Sequence, residues 1–451
     1  MSETLDPGIF KAYDVRGLYP SQLTGEIARR IGCAFVQYLG AKRIAVGRDV
    51  RTSSPEIAAG FIRGVRSQGC EVTDIGIVGT DMMYFFVAGH ELDGGAIITA
   101  SHNPKEWNGV KMVRKGAFAL SGDAGIKEIR EALVAGQFAD DPGDVGPPAR
   151  SEAVDTAYAD HVLSFIDTAR VPKLKVVLDT GNGMGAVGAA AILPRLPLEL
   201  VKMNFELDGT FPNHPPDPLE EANRLDVMAR VKSEGADLGI AWDGDADRCF
   251  FIDDTGAFVP GDFVTALLAE QFCRKEPGAR IVYDVRASRA VDDRVRAAGG
   301  TALMHRVGHA FIKKRMRDEN ATFGGEVSGH FYVRNNWYAD NGMIPAVLVL
   351  ELLGTTGKRF SQLLAPLRER YHISGEINSK VQDVAAAMAR IQSKYADARI
   401  TQLDGVSVDY DDWHFNVRPS NTEPLLRLNL EAYTAGDMER RRDEVLGVIR
   451  G

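Results

Sequence analysis

Three stretches of the chain share one order of predicted elements, and this repetition limits the possible folds more than any other feature. Each opens with an apolar run that ends in an acid, and the three runs are Arg43–Asp49, Lys175–Asp179 and Arg280–Asp284. A helical segment follows each, then a second apolar run (Cys70–Ile75, Leu198–Met203, Thr301–Val307) and a third (Gly95–Thr99, Asp237–Trp242, Ala321–Phe323). Short apolar runs separated by helices predict parallel sheets covered on both faces. The repetition predicts three duplicated α/β domains.

Polar, proline-rich stretches indicate where the domains end. The clearest linker is Asp140–Pro148, and further breaks lie near Asp253–Gly261 and Arg368–Gly375. The last part of the chain differs from the repeats, with helices predicted at Val381–Ala396 and Asp437–Ile449 and strands between them. The 451 residues therefore divide into four predicted domains, 1–148, 149–255, 256–368 and a smaller α+β domain at 369–451.

Composition narrows the class of protein. A net charge of -9 disfavours nucleic acid as a partner, because that needs a basic surface. The four cysteines form no CxxC pair, which is typical of thiols in a reducing compartment. Met1–Phe10 lacks the basic start and apolar run of a signal peptide, and the longest apolar stretch, Ile344–Leu350, is too short to span a bilayer. We therefore expect a cytoplasmic protein with no membrane partner.

Three aspartates alternate with small residues in the loop DGDADR, which follows the third run of the second repeat. Alternate side chains of extended backbone project to one side, so Asp243, Asp245 and Asp247 would repel one another without a cation between them. Their oxygens suit Mg²⁺ or Ca²⁺. An EF-hand is disfavoured because Arg248 and Asp254 stand where that loop needs glycine and glutamate. The other alternative is a solvated turn.

A serine lies in the loop TASHNP, which follows the third run of the first repeat. An unassisted serine hydroxyl is a poor nucleophile. If Ser101 instead carries a phosphate, it becomes a donor whose nearly two negative charges a divalent cation would offset. Taken alone, Ser101 is equally typical of a turn or a helix cap.

Two further loops carry groups suited to a sugar phosphate. GEVSGH supplies Glu326, Ser328 and His330, and the first two can hydrogen-bond neighbouring sugar hydroxyls. In RPSNTEPLLR, an arginine can grip phosphate oxygens in a fork, and neighbouring side chains and amides add donors. The candidate residues in this last loop are Arg418, Ser420, Asn421, Thr422 and Arg427. Both loops could also be simple polar turns.

A weak dinucleotide-binding pattern competes with this interpretation. Gly181, Gly183 and Ala186 follow a predicted strand as G-x-G-x-x-A. Asp179 ends that strand where a pyrophosphate would lie, so a tight strand–helix turn is the preferred interpretation.

The four loops, in this order and spacing, resemble those of the α-D-phosphohexomutase superfamily across essentially the whole chain. TASHNP is similar to its phosphoserine loop, DGDADR to its metal loop, GEVSGH to its sugar-binding loop and RPSNTEP to its phosphate-binding loop. The subgroup with the greatest resemblance is the bacterial phosphomannomutase/phosphoglucomutase group, whose sugar loop reads GEMSGH where this chain has Val327. Phosphoglucosamine mutases usually carry glutamine there.

The resemblance implies three related α/β domains with mixed, largely parallel sheets and a smaller α+β C-terminal domain, heart-shaped around a central cleft. It implies one loop per domain: phosphoserine (1–148), metal (149–255), sugar (256–368) and phosphate (369–451). It also implies one Mg²⁺ per chain, bound by Asp243, Asp245, Asp247 and the phosphate of Ser101. The segment KAYDVRG is similar to the family's opening and adds Tyr13 and Arg16 to the substrate site.

The implied reaction interconverts hexose 1-phosphate and hexose 6-phosphate, of mannose, glucose or both. Phospho-Ser101 would give its phosphoryl group to the sugar, and the hexose 1,6-bisphosphate would reorient and return the other phosphate; added bisphosphate would act as an activator. Catalytic candidates are Ser101, His102, Lys111, Arg248 and His330, and Lys111 would need a lowered pKa to act as a base. Further substrate contacts are His309 and Arg286, where some dual-specificity members have lysine.

Several alternatives stay open. A phosphoglucosamine mutase, a metal-dependent sugar-phosphate phosphatase and a non-catalytic sugar-phosphate sensor would share these loops. We expect a monomer or a dimer, and a hinge near residues 366–376 that closes the C-terminal domain.

Overall fold

The computed structural model describes residues 5–122, 124–136, 150–419 and 425–451. Three predicted residues of the phosphate loop, Ser420, Asn421 and Thr422, and the predicted linker Asp140–Pro148 lie outside these ranges. Contacts divide the chain into a first unit, residues 1–259 and 328–357, and a second unit, residues 260–327 and 358–451. Among the described residues, none of the helices combines the length and apolar composition needed to cross a bilayer.

The helices of the described residues are α1 (Gly25–Leu39), α2 (Ser54–Ser67), α3 (Thr80–Gly89), α4 (Ile126–Val134), α5 (Asp155–Leu163), α6 (Gly185–Ile192), α7 (Leu225–Glu234), α8 (Gly261–Lys275), α9 (Arg289–Ala297), α10 (His309–Asp318), α11 (Met343–Thr356), α12 (Phe360–Arg370), α13 (Val384–Lys394) and α14 (Ala435–Arg450).

The strands are β1 (Val15–Leu18), β2 (Arg43–Arg48), β3 (Glu71–Ile77), β4 (Gly94–Ile98), β5 (Trp107–Arg114), β6 (Phe118–Ala119), β7 (Arg150–Ser151), β8 (Leu174–Asp179), β9 (Leu198–Met203), β10 (Leu238–Trp242), β11 (Cys249–Asp253), β12 (Phe258–Val259), β13 (Arg280–Asp284), β14 (Thr301–His305), β15 (Phe323–Gly325), β16 (Phe331–Val333), β17 (His372–Lys380), β18 (Arg399–Thr401), β19 (Val406–Asp409), β20 (Trp413–Pro419) and β21 (Leu425–Ala432).

The predicted threefold repeat is confirmed in the strand order. In each repeat the first strand lies between the second and the third, giving β3-β2-β4, β9-β8-β10 and β14-β13-β15, and every one of these pairs is parallel. Central strands such as β10 are buried at every position, as parallel strands covered on both faces require. Antiparallel strands extend the first two sheets, which makes them mixed: β1 and β5 in one, β11 and β12 in the other.

The last sheet is wholly antiparallel, in the order β17-β21-β20-β19-β18. Its apolar face packs against α13 and α14 around a core that includes Trp413, Phe415 and Leu428. The predicted α+β character of this segment is therefore confirmed.

The helices α1 and α2 pack against each other, and glycines allow their backbones to approach closely. α1 begins at the cap residue Thr24, whose Oγ1 accepts a hydrogen bond from the backbone N of Ile27. A Cβ atom on Gly60 of α2 would lie 2.0 Å from the carbonyl oxygen of Gly25, and one on Gly64 would lie 1.9 Å from that of Arg29. Only glycine permits this approach.

The three predicted loops each lie at the carboxyl end of the third strand of their repeat. TASHNP follows β4, DGDADR follows β10, and GEVSGH begins at the last residue of β15. In open parallel sheets this edge, beyond the carboxyl ends of the strands, is where ligands bind.

Candidate active site

The loop after β10 brings its three aspartates together. Asp243, Asp245 and Asp247 are each at most 2% exposed, and one carboxylate oxygen of each lies within 4.8 Å of the others. Oδ1 of Asp245 is buried without a hydrogen-bond partner among the described residues. Ala246 has a φ of 61°, a left-handed conformation that turns the loop between the last two acids. Three clustered hard oxygens with an unused buried acceptor fit a divalent cation.

Ser101 contacts this cluster directly. Its Oγ donates a hydrogen bond to Oδ2 of Asp243 over 2.8 Å, and its backbone N donates to Oγ1 of Thr99 over 2.9 Å. Ser101 has a φ of 53°, unusual for a residue other than glycine, and is 2% exposed. The predicted pairing of the serine loop with the metal loop is thus present in the geometry.

The side chains of Arg248 and His102 lie beside Ser101. Nη2 of Arg248 lies 3.4 Å from Ser101 Oγ and also donates to Nδ1 of His102, while its Nε pairs with Asp243 at 3.2 Å. Burial, reinforced by the charge of Arg248, holds the pKa of His102 well below its usual range. His102 is therefore a neutral imidazole beside the serine.

Lys111 does not meet the expectation of a lowered pKa. Its Nζ lies 2.6 Å from Oδ2 of Asp245 and 2.5 Å from Oδ2 of Asp247. Burial by itself would lower the pKa of Lys111, but these two carboxylates outweigh it and raise the pKa above its ordinary value. The expectation considered cations around the lysine, whereas its nearest charged partners are acids. In this arrangement Lys111 is a charge-balancing ammonium rather than a base.

The N-terminal residues approach the serine loop through Arg16. Its Nη1 donates to Oδ1 of Asn103 over 2.5 Å and to the carbonyl oxygen of Ala100 over 3.3 Å, and its Nε pairs with Asp14. Tyr13 is half-buried and lies two residues before β1. Arg16 is thus placed beside the serine loop by β1, which pairs with β5.

Arg51, a fully buried arginine that the sequence analysis missed, donates hydrogen bonds to the backbone of the serine loop. Nη1 of Arg51 donates to the carbonyl oxygens of Pro104 (2.7 Å) and Trp107 (3.1 Å), and Nη2 donates to those of Ser101 and Asn103 (both 2.7 Å). Its Nε pairs with Asp49 at 3.1 Å. All five donors of one guanidinium therefore face acceptors, four of them in or beside TASHNP.

GEVSGH divides between the two units. Ser328 and His330 belong to the first, where Ser328 Oγ lies 3.0 Å from His330 Nδ1 and His330 Nε2 lies 3.5 Å from Oδ1 of Asp247. His330 is therefore close to the acidic cluster.

Glu326 belongs to the second unit and is 2% exposed. Its Oε1 accepts a hydrogen bond from the backbone N of Gly308 over 2.9 Å, and His309 follows as the first residue of α10. The predicted sugar-contact residue Glu326 is therefore held by the backbone of the residue that precedes His309.

Arg286 is held by an aspartate. Its Nε and Nη2 form a fork on Asp284, at 3.0 and 2.9 Å, and Oδ2 of Asp284 also accepts from the backbone N of Val327. Burial alone would raise the pKa of Asp284, but Arg286 outweighs it and the pKa is lowered.

Arg418 and Arg427 face each other on paired strands β20 and β21. Between them lies Glu376, absent from the sequence predictions: its Oε2 is 3.2 Å from Arg418 Nη2 and 3.4 Å from Arg286 Nη1, and its Oε1 is 2.9 Å from Arg427 Nη1. Burial would raise the pKa of Glu376, but the three arginines lower it. The structure thus gathers three of the predicted arginines around one carboxylate.

A short motif could have identified Arg51 in the sequence. Asp-Val-Arg occurs at residues 14–16, 49–51 and 284–286, and in all three the arginine pairs with the aspartate two residues before it. The sequence analysis used the first and third arginines and overlooked the second. Glu376 had no comparable signal, because its partners lie 42 and 51 residues further along the chain.

Comparison with known proteins agrees with this geometry. Four family descriptions of phosphoglucomutase/phosphomannomutase match the chain: α/β/α domain I over residues 7–140, domain II over 156–256, domain III over 260–371 and the C-terminal domain over 376–448. Phosphohexose mutases of Xanthomonas campestris pv. campestris are 43% identical over 447 residues, covering 98% of this chain and 99% of theirs.

A phosphomannomutase of Salmonella montevideo is 42% identical over 450 residues, covering 98% of both chains. A solved phosphoglucomutase/phosphomannomutase family protein of Burkholderia thailandensis is 32% identical with a TM-score of 0.89, covering 99% of this chain and 98% of that one. Full-length similarity at this level shows that the chain belongs to the phosphoglucomutase/phosphomannomutase family and is a hexose-phosphate mutase.

Proposed function

We propose that Ser101 carries the phosphoryl group through the reaction, which interconverts hexose 1-phosphate and hexose 6-phosphate of mannose, glucose or both. The observation that carries this proposal is the 2.8 Å hydrogen bond from Ser101 Oγ to Asp243, at the edge of the three-aspartate cluster. A phosphate on this oxygen would lie among carboxylates and needs a cation to be stable there. Arg248, 3.4 Å from the same oxygen, supplies one positive charge.

We propose Mg²⁺, one per chain, as the resident cation, held by Asp243, Asp245 and Asp247 together with the phosphate on Ser101. The clustered oxygens and the unpartnered buried Oδ1 of Asp245 support this assignment. When bound, Mg²⁺ would supply Lewis-acid stabilisation of the charge on the transferring group. Lys111 competes for two of the same carboxylates, so binding of the cation requires its ammonium to shift.

The remaining roles follow from where each side chain lies. Arg248 would stabilise charge that develops on the phosphoryl oxygens. His330, whose Nε2 lies 3.5 Å from Asp247, is a candidate to take the proton of the attacking hydroxyl, and Lys111 is a second candidate once the cation has displaced it from Asp245 and Asp247. His102 stays neutral and would orient the Ser101 side chain. Arg16 would hold the TASHNP loop on the substrate side.

Substrate recognition is assigned to two sets of groups. Arg418 and Arg427, with Ser420, Asn421 and Thr422, would bind the phosphate that is not being transferred. Glu326, Ser328 and His309 would hydrogen-bond sugar hydroxyls, with Tyr13 and Arg286 as further contacts. The sugar is held at positions away from the reacting oxygen, which is what allows either end of a bisphosphate to be presented.

We also propose an activator, domain bounds, an oligomeric state and a cellular compartment for the enzyme. The hexose 1,6-bisphosphate formed in each turnover would also activate the enzyme by charging Ser101. The four domains would be residues 1–148, 149–255, 256–368 and 369–451. We propose a cytoplasmic monomer or dimer, and the buried free thiols of Cys33, Cys70, Cys249 and Cys273 support a reducing compartment.

Intact mass measurement tests the serine assignment. The purified protein is treated with glucose 1,6-bisphosphate and Mg²⁺, and we expect a gain of one phosphoryl group. The variant Ser101→Ala should gain nothing, whereas Ser164→Ala, at an exposed serine, should behave as the parent chain does. A phosphoryl gain by Ser101→Ala, or none by the parent chain, would refute the proposal.

A metal-dependent phosphatase is the alternative that the acidic cluster itself permits. It would release inorganic phosphate from sugar phosphates at the rate at which substrate disappears. Mutase action leaves inorganic phosphate near zero while isomer is formed, so a coupled phosphate assay separates the two. A phosphoglucosamine mutase would be recognised by faster turnover of glucosamine phosphate than of mannose or glucose phosphate.

A further inference from the structure

The antiparallel sheet formed by β17–β21 carries the carboxylate of Glu376 among arginines, where a bound anion would be expected. Glu376 lies between Arg418 and Arg427, with Arg286 on the same oxygen as Arg418. The side chain of Glu376 is 24% exposed and those of Arg418 and Arg427 are 11% and 31% exposed, so this group is only partly screened by water.

The backbone is shaped to present this side chain. The pairing of β17 with β21 shifts register between Ile373 and Glu376, and Gly375 within the shift has a φ of 69°. A bulge of this kind redirects the following side chain. Glu376 then stands opposite Asn429, two pairs away from Arg427 along the same ladder.

The arginines keep donors beyond those that the carboxylate uses. Nε of Arg418 and Nε of Arg427 are buried and have no hydrogen-bond partner among the residues that the structure describes. Arg286 differs, because Asp284 already forms a fork with it. One carboxylate therefore serves three guanidinium groups and leaves part of their capacity unused, so the site retains a net attraction for an anion.

We propose that Glu376 is a built-in counter-anion that competes with the substrate phosphate for Arg418 and Arg427, and so keeps phosphate binding weak enough to be reversible within each turnover. The inference rests on the proposed function, which has these arginines bind the phosphate that is not transferred. A bisphosphate intermediate must let go of this site before its other end can be presented. A phosphate held by two unopposed arginines would leave slowly, because most changes in affinity appear in the dissociation rate.

The variant Glu376→Gln tests this by removing the charge while keeping the shape. Without the negative charge beside Arg418 and Arg427, we expect binding of inorganic phosphate and of glucose 1-phosphate, measured by calorimetry, to tighten about tenfold. In steady-state kinetics KM and kcat should fall together, since tighter binding slows reorientation. Glu376→Asp keeps the charge and should retain affinity within about threefold of the parent chain.

Controls separate the possible failures. Glu439→Gln removes an exposed glutamate of α14 and makes the same change in net charge. It should therefore leave phosphate affinity, KM and kcat unchanged. Arg418→Met should weaken phosphate binding; if it does not, the proposed function of the arginines fails. If Arg418→Met weakens binding but Glu376→Gln tightens it less than threefold, or weakens it, the counter-anion inference alone is overturned. Should Glu376→Gln fail to fold, Glu376→Ala is judged by the same criteria, and loss of folding in both would mean that Glu376 is structural and overturn the inference.

Discussion

Arg51 offers the sharpest test of how the serine loop is held in place. The change is Arg51→Lys, which keeps the positive charge beside Asp49 but replaces a fork of five donors by a single ammonium. The side chain of Arg51 is 0% exposed, and its Nη atoms reach carbonyl oxygens of four residues between Ser101 and Trp107. A lysine ammonium has three donors, and one of them stays with Asp49, so at least two of the four buried carbonyl groups lose their charged donor.

The cost follows from those lost contacts. A hydrogen bond to a charged group contributes about 1.5–3 kcal/mol, so opening of the loop should become easier by about 3 kcal/mol. Because the chain has two units and need not unfold in one step, the loop itself should be followed by hydrogen exchange of backbone amides in residues 99–110. We expect exchange there to accelerate about 100-fold, with kcat falling at least about tenfold through misplacement of Ser101.

The control is Arg48→Lys, which alters a half-exposed arginine paired with Asp74 at 3.3 Å. Exposed pairs contribute about 0–1 kcal/mol, so exchange in residues 99–110 should stay as in the parent chain. An acceleration below about threefold in Arg51→Lys, or an equal effect in both variants, would show that the loop does not depend on this guanidinium.

Two further predictions concern groups near the same loops. Burial alone would lower the pKa of His214, but its hydrogen bond to Asp179 raises it, so the folded chain binds the proton more tightly than the unfolded chain does. The stabilisation from this pair is complete below about pH 6.5 and is lost as pH rises through the higher folded pKa; denaturant midpoints between about pH 5 and pH 9 should show this slope, and a slope unchanged in His214→Gln would contradict it. For the acidic cluster, Mg²⁺ at about 100 times its Kd should stabilise the chain by about 2.7 kcal/mol, seen as a rise in Tm over a sample with chelator. Asp245→Asn should lose most of that rise while Asp208→Asn, a half-buried aspartate outside the acidic cluster, keeps it, and an equal rise in both would refute the metal assignment.

Much of the fold could be predicted because each repeat combines local signals that agree. Apolar runs mark the three parallel strands, and in the third repeat the prediction Arg280–Asp284 matches β13 at both ends. The third strand of that repeat was less accurate: Ala321–Phe323 was expected, whereas β15 is Phe323–Gly325. Glycines weaken a strand signal, but here Gly324 and Gly325 pair with Val282 and Tyr283 of β13, and that contact cannot be read from local composition.

The site could be predicted where its residues are close in sequence. The spacing of Asp243, Asp245 and Asp247 predicts a cation site, and in the structure the three carboxylates lie close together. The charge environment of Lys111 was predicted with the wrong sign, because Asp245 and Asp247 lie 134 and 136 residues away and only the fold makes them its neighbours. Glu376 was missed for the same reason.

The close contact between α1 and α2 has a consequence for how variation in this chain should be interpreted. Any side chain at Gly60 or Gly64 would have to displace the backbone of Gly25 or Arg29, and α2 begins three residues after Arg51. A mutational scan should therefore find these two glycines as intolerant as the three clustered aspartates, although neither glycine has a side chain that could take part in chemistry. Substitutions at Gly60 and Gly64 would fail because they force α1 and α2 apart. A map of functional residues drawn from mutational tolerance alone would therefore wrongly include these two glycines.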